Sequence, residues 1–395
     1  MQNFIQYAPT EVVFGKGTEM EAGAEVAKWG GSRVLLVYGG GSAKKSGLIS
    51  RVEKSLTEAG IYWEEFGGAK PNPTMAHAIL GVEQALRFGA DFILAVGGGS
   101  TIDTAKAIAH GTANPEVSLE DIWAKKVPLE KSLPHAAILT IPAAGSEMSD
   151  SAVLTNEEKH TKGGINTPFN RCKFAILNPK LAFTLPTYQL ACGITDIMMH
   201  TLERYFIPEI TCDMTDALAE GLLRTVIKHG RIVLSDKENY DSMAEIMWCG
   251  SLSHNNLTEC GRGKDFSVHK FGHALSAMFD VAHGASLAAV WGSWAEYLYQ
   301  EKGATERFAK YARNVWNVEE QEDLACAKEG IKRTVDFFRE IGMPVSLTEL
   351  KVPHDDAVLK ELAQKATLGD TVKLSRIRPL GAKEAEEIYR MAVEG

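Results

Sequence analysis

The stretch FILAVGGGSTIDTAKAIA, residues 92–109, decides how the first half of the chain reads. Phe92 to Val96 is five apolar residues with no polar interruption, the pattern of a short strand covered on both faces. Gly97-Gly98-Gly99-Ser100 turns the chain, and from Thr101 to Ala113 the pattern is helical. The same grammar appears upstream. Arg33 to Tyr38 reads RVLLVY, Gly39-Gly40-Gly41-Ser42 follows, and a helical pattern runs to about Ala59. Ile61 to Phe66 is a second strand candidate, after which Pro71-Asn72-Pro73 breaks the chain and Thr74 is placed to cap the next helix. Downstream, Ala136 to Ile141 gives a fourth strand, closed by Pro142. Strands alternating with helices predict βαβ units and a parallel, Rossmann-like sheet.

Beyond Pro179 and Pro186 the strand signals nearly vanish. Helical periodicity holds from about Tyr188 to the end, with breaks near Pro208, Asp236, Gly261, Gly303, Pro344 and Pro353. The expected organisation is an α/β domain over 1–183 and an all-helical domain over 184–395.

Composition narrows the class. With 395 residues, 45% hydrophobic and 24% charged, the chain is foldable and long enough for two or three domains. A formal charge of −9 provides no basic field for nucleic acid or anionic lipid. No apolar run approaches the roughly 18–20 residues that span a bilayer. The start, Met1-Gln2-Asn3-Phe4-Ile5-Gln6, has neither the basic nor the apolar region of a signal peptide. Six cysteines, at 172, 192, 212, 249, 260 and 326, form no CxxC pair. A reducing cytoplasm is the expected compartment.

Two GGGS turns, each between an apolar strand and a helix, suit a phosphate. Glycine lets the backbone come close, and the helix start offers free N–H groups and a positive dipole end. One such turn is as often an ordinary tight connection; two at the carboxyl ends of strands in one sheet favour a ligand. Neither is a GxGxxG fingerprint or a P-loop. The turn after Tyr38 also speaks to cofactor choice. Gly40, Gly41 and Ser42 carry no acid to accept from a ribose, and Lys44 and Lys45 follow. That predicts NADP(H) in preference to NAD(H).

The second half holds a constellation of metal-ligating residue types. Asp196 and His200 stand four apart in a helical stretch and so share a face. Alone, such a pair is more often a helix charge beside a satisfied histidine. His269, His273 and His283 then fall within fifteen residues, among Val268, Phe271, Leu275, Met278 and Phe279. A histidine on an apolar stripe is usually a core residue. Three together, with the Asp/His pair, favour buried ligation of a divalent ion, and imidazoles with one carboxylate suit Fe(II) or Zn(II).

Taken together, GGGSTIDTAKAIA (97–109), GITDIMMHTLERY (193–205) and HKFGHALSAMFDVAHG (269–284) resemble the iron-containing, group III alcohol dehydrogenases, and most nearly the butanol dehydrogenase and aldehyde reductase branch. The YGGGS turn and the Asp265-Phe266 pair before the first histidine strengthen the likeness, which runs over essentially the whole chain. The resemblance implies a metal set of Asp196, His200, His269 and His283, with His273 as the catalytic histidine that does not bind the metal. It implies a pyrophosphate site at Gly98, Gly99, Ser100 and Asp103, and places Lys162 near the nicotinamide. Thr140 and Ser149 are the nearest counterparts of a cofactor-contacting turn. There the chain departs from the family, reading IPAAGSEMS where many members read PTTAGTGSE. NAD-dependent relatives carry an acid near the position of Gly40.

The implied activity is hydride transfer between a nicotinamide cofactor and a small primary alcohol or aldehyde, such as butanol and butyraldehyde, in a cleft between domains. A divalent metal, Fe(II) before Zn(II), would act as Lewis acid. The resemblance further implies a homodimer. One architectural relative competes: dehydroquinate synthase, a lyase that uses NAD and zinc without net redox change. Its basic phosphate-binding cluster is not evident here, and its metal set contains a glutamate.

Overall fold

The computed structural model describes residues 1–159, 161–208 and 212–395. The chain divides into two compact units, Tyr7–Leu185 and Pro186–Gly395, with Met1–Gln6 belonging to the second. That last assignment differs from the expected limits. The first residues have no strand to join and instead lie along the helical unit, where the Gln2 amide donates to the Gly261 carbonyl (2.8 Å).

The α/β unit contains strands β1 (Glu11–Phe14), β2 (Arg33–Tyr38), β3 (Tyr62–Phe66), β4 (Phe92–Gly97), β5 (His135–Leu139), β6 (Ser151–Asn156), β7 (Thr161–Asn166) and β8 (Phe174–Leu177). Between them run α1 (Ala22–Lys28), α2 (Ser42–Lys45), α3 (Leu48–Glu58), α4 (Met75–Phe88), α5 (Gly99–Ala113) and α6 (Leu119–Trp123). Six strands form one parallel sheet in the order β1-β8-β5-β4-β2-β3, and β6 and β7 form a separate antiparallel hairpin. β4, β5 and β8 are buried along their whole length, as a sheet with helices on both faces requires. Thr74 caps α4 as expected, accepting from the His77 amide (3.3 Å).

The register positions the two glycine turns of this unit. β2 pairs with β4, Tyr38 opposite Val96, so the two glycine turns leave the sheet side by side. The chain moves from β2 outward to β3 and from β4 the other way to β5. The gap between the carboxyl ends of β2 and β4 is therefore the point where strand order reverses, where open α/β sheets bind ligands. The turn after β4 requires glycine at its first position: a Cβ on Gly97 would lie 2.4 Å from Thr101 Oγ1.

The second unit is helical: α7 (Thr187–Tyr205), α8 (Asp213–Ser235), α9 (Tyr240–Ser253), α10 (Ser267–Phe279), α11 (His283–Leu298), α12 (Ala304–Trp316), α13 (Asp323–Glu340), α14 (Leu347–Leu350), α15 (Asp356–Ala366) and α16 (Ala382–Met391). α7 lies at its centre and is buried on every side over its last four turns, from Leu190 to Tyr205. A helix so enclosed can bring polar side chains to the core only if they find partners there. α11 crosses it at backbone contact: a Cβ on Gly284 would lie 2.1 Å from the Cys192 carbonyl oxygen. Among the described residues no helix is long and apolar enough to cross a membrane.

Candidate metal centre and cofactor cradle

Asp196 and His200, one turn apart on α7, are both buried. α10 brings His269, also buried, and His283 is the first residue of α11, about a quarter exposed. The Asp196 Oδ1 atom collects all three imidazoles: His269 Nε2 at 3.6 Å, His200 Nδ1 at 3.7 Å and His283 Nε2 at 3.7 Å. These separations are too long for hydrogen bonds. They are close to those of atoms sharing one ion, since tetrahedral ligands about 2.1 Å from a metal stand about 3.4 Å apart. The ligand atoms of Asp196, His200 and His269 all lie within 4.8 Å of one another.

Hydrogen bonding gives an independent test of fit. Asp196 Oδ1, His200 Nδ1 and His269 Nε2 are buried and have no hydrogen-bond partner. Each such atom costs about 1–3 kcal/mol when left bare. A divalent ion among them removes that cost, and one carboxylate with imidazoles is a donor set for Fe(II) or Zn(II). The residues fit the metal.

The surroundings bias the protonation of the set. Burial, aided by His254 and His269, holds His200 well below the usual imidazole range, leaving it a neutral donor. Burial would also lower His269, but the Glu203 carboxylate at Nδ1 and Asp196 at Nε2 outweigh it and raise it to about 9. Phe266 stands at the N-cap of α10 with φ 64°, a left-handed conformation costly for a bulky residue. Its ring lies 4.8 Å from His269 and 5.9 Å from His200, and the Arg204 guanidinium sits 4.7 Å from its centre. The strained backbone directs an aromatic wall at the centre.

His273 is half-buried, its ring 5.3 Å from that of His283 and 6.2 Å from that of His269. The geometry brings it beside the imidazoles of His283 and His269. His273 and His283 are the less buried members of the group and mark its open side. Sequence reasoning missed two neighbours. His254 lies against His200, ring centres 4.1 Å apart. Glu203 contacts His269, and its spacing after Asp196 and His200 on one helix face was the available signal.

In the α/β unit, the N-cap of α5 is Gly98, which brings no side chain to its free amides, and the first turn of the helix holds no acid. Gly98, Gly99 and Ser100 are partly exposed there, and the Thr140 amide donates to Gly97 O (3.0 Å), so Thr140 adjoins the same turn. That is an anion cradle by geometry and dipole. Asp103 and Ser149 both make hydrogen bonds within the protein. Asp103 accepts from Ser146 Oγ (2.6 Å) and the Val153 amide (3.0 Å), and Ser149 is fully buried, its Oγ accepting from the Ser151 amide (2.8 Å). Lys106, which sequence reasoning passed over, is also fully buried and donates to the carbonyls of Ser146 (2.8 Å) and Ser151 (2.7 Å). Asp103 and Lys106 together fasten the 146–153 loop to α5. Lys162 donates to Asn72 Oδ1 (2.9 Å).

Gly40, Gly41 and Ser42 are exposed after β2. Lys44 beyond them is not a free cation. It pairs with Glu65 Oε2 at 2.5 Å, the same oxygen that accepts from Tyr38 Oη. Glu65 comes from β3, an acid that the reading of the turn alone did not anticipate.

Known proteins resemble the chain over nearly its whole length. Residues 9–179 match the family described as iron-containing alcohol dehydrogenase, and residues 190–393 match the C-terminal part of the Fe-containing alcohol dehydrogenase family. The NADH-dependent butanol dehydrogenase A of Clostridium acetobutylicum is 37% identical over 391 residues, covering 99% of each chain. The NADPH-dependent aldehyde reductase YqhD of Escherichia coli is 34% identical over 374 residues, covering 92% of this chain and 94% of that one. The crystal structure of NADH-dependent butanol dehydrogenase A from Thermotoga maritima superposes with a TM-score of 0.95 at 34% identity, covering 100% of this chain and 99% of that one. The class is thus a metal- and nicotinamide-dependent alcohol dehydrogenase or aldehyde reductase. The chain belongs to the iron-containing alcohol dehydrogenase family, in the branch of the butanol dehydrogenases and the aldehyde reductase. The lyase alternative is not the family it matches.

Proposed function

We propose that the protein transfers a hydride between NADP(H) and a small primary alcohol or its aldehyde, with butanol and butyraldehyde as the reference pair. The observation that carries this reading is the convergence of three imidazoles on one buried carboxylate oxygen, with Asp196 Oδ1, His200 Nδ1 and His269 Nε2 left without a hydrogen-bond partner. When bound, a divalent ion, Fe(II) before Zn(II), supplies polarisation of the substrate oxygen, and the nicotinamide supplies or takes the hydride.

The chain's residues do the rest. Asp196, His200, His269 and His283 hold the ion, and a single carboxylate among them leaves half of its formal charge uncompensated. Phe266 and the buried face of α7 keep water from one side. His273, on the open side, passes the alcohol proton between substrate and solvent, a task suited to an imidazole. Amides at Gly98, Gly99 and Ser100 receive the pyrophosphate, while Thr140 and Lys162 lie toward the nicotinamide. Asp103 and Ser149 support that cradle through the loop they bond.

The exposed turn Gly40-Gly41-Ser42 takes the adenosine ribose. Its lack of an acid supports NADP(H) over NAD(H), and the Lys44–Glu65 pair makes the preference a modest one. Both NADH- and NADPH-dependent relatives occur at similar identity. We read the enzyme as a cytoplasmic homodimer: six unbridged cysteines support a reducing compartment, and the dimer rests on the family resemblance.

The test is oxidation of NADPH by butyraldehyde, followed by the cofactor's near-ultraviolet absorbance, with protein reconstituted with Fe(II) or Zn(II). Stoichiometric, metal-dependent oxidation is expected. No oxidation with any short aldehyde, in protein of verified metal content, overturns the reading.

A further inference from the structure

Glu203 is the third acid-or-imidazole on one face of α7, seven residues after Asp196 and three after His200, and it is fully buried. A buried carboxylate is costly unless every lone pair in use has a donor. Its donors all come from α10. One oxygen accepts from the Val268 amide (2.5 Å) and the His269 amide (3.2 Å), and the other meets His269 Nδ1. Those amides belong to the first turn of α10, whose own N-cap, Phe266, offers no capping side chain. Glu203 thus caps a helix from outside it and grips an imidazole carried by that same helix.

We propose that Glu203 is the positioning residue of the metal centre: by accepting the Nδ1 proton of His269, it aims the Nε2 lone pair at the point shared with Asp196. The proposal rests on the metal reading above and deepens it. A carboxylate beside Nδ1 can only accept, so the imidazole keeps its proton there and leaves Nε2 for the ion. His269 Nε2 is the atom found unpartnered, 3.6 Å from Asp196 Oδ1. Because the same carboxylate fixes the start of α10, ring and backbone are located together. Glu203 touches neither substrate nor cofactor on this reading and acts through His269 alone.

A bare helix cap makes a different forecast. In Glu203→Gln, one oxygen still accepts from both amides, so the cap survives. The amide nitrogen then faces His269 Nδ1 and donates to it. The imidazole must carry its proton on Nε2, where it blocks the ion. Zn2+ affinity is measured on metal-free protein by competition with a chromophoric chelator, with near-ultraviolet circular dichroism and the unfolding midpoint recorded alongside. Glu203→Gln should keep the folded spectrum and bind Zn2+ roughly 10–100-fold more weakly, with an altered visible spectrum when Co2+ is bound. A folded Glu203→Gln protein with wild-type affinity overturns the proposal.

If Glu203→Gln does not fold, Glu203→Asp takes its place, keeping both acceptors but drawing them back by one methylene. Its Zn2+ affinity should fall; lost stability with wild-type affinity leaves only a cap and overturns the proposal. His200→Ala separates the two readings. If it binds Zn2+ as wild type does, the metal assignment itself fails, whatever Glu203 does.

Discussion

Lys44 and Glu65 hold each other at 2.5 Å beside Tyr38, at the edge of the turn that follows β2. The cation that would meet a 2′-phosphate is thereby tied to an acid. Glu65→Gln should release it and raise the NADPH-to-NADH ratio of kcat/KM by up to about fivefold, the scale of a solvent-exposed ion pair. Gly40→Asp should move the ratio the other way, by repelling the phosphate and accepting from ribose hydroxyls. Steady-state kinetics with both cofactors decide it. A ratio that Glu65→Gln leaves unchanged or lowers would remove Lys44 from cofactor choice.

Metal content should follow burial. His200 is almost fully enclosed, whereas His283 is about a quarter exposed. His200→Ala should lose nearly all bound metal after dialysis, and His283→Ala should lose most of it while recovering more at high metal concentration. Elemental analysis measures both. Full occupancy in the two variants is the outcome that sinks the ligand set.

His273→Asn should retain metal and cofactor binding and lower kcat by roughly 10²–10⁴-fold, the range for losing a group that moves a proton. Its ring stands beside those of His283 and His269 and outside the proposed ligand set, so no ligand is removed. Loss of metal would make His273 a ligand instead. Normal kcat would make it a packing residue.

The α/β unit should be sensitive to acid through two buried histidines. Burial pushes His110 down to about 3 and His135 down to about 4, and both bond to Asn170. An unfolded chain protonates histidine near pH 6.5. Above that pH both forms are neutral and the contribution to stability is complete. As pH falls from about 6.5 toward 4, only the unfolded chain takes up these protons. Stability then drops by up to about 1.4 kcal/mol per pH unit per histidine. The unfolding midpoint should fall over this window, and less steeply in His110→Asn. Equal slopes in the two proteins would contradict the assignment.

Some of this architecture was open to reading and some was not, for physical reasons. RVLLVY and FILAV announce themselves because strands covered on both faces need unbroken apolar runs, and both became strands at nearly the expected limits. β1 and β8 were passed over because four residues each, EVVF and FAIL, are too short to show a period. The β6–β7 hairpin is half polar and carries Gly163 and Gly164, so it reads as loop. In the helical half, Asp196, His200, His269, His273 and His283 stand out by residue type, and the fold does gather them. Glu203 and Lys106 looked like ordinary helix charges; only the tertiary packing shows that each is buried. Glu65 was invisible as a partner of Lys44 because pairing across β2 and β3 is not a local property.

Gly284 carries a consequence for anyone wishing to redesign this centre. Where α11 meets α7 there is no room for even a methyl group, so the residue before it is located by contact between two backbones and owes little to side-chain packing. Exchanging His283 for another ligand type would keep the anchor point and change only the donor atom. Enlarging position 284 would keep every donor and spread them apart. The ruler of this site is a residue that contributes no atom to its chemistry, and libraries aimed at a new metal should leave it fixed.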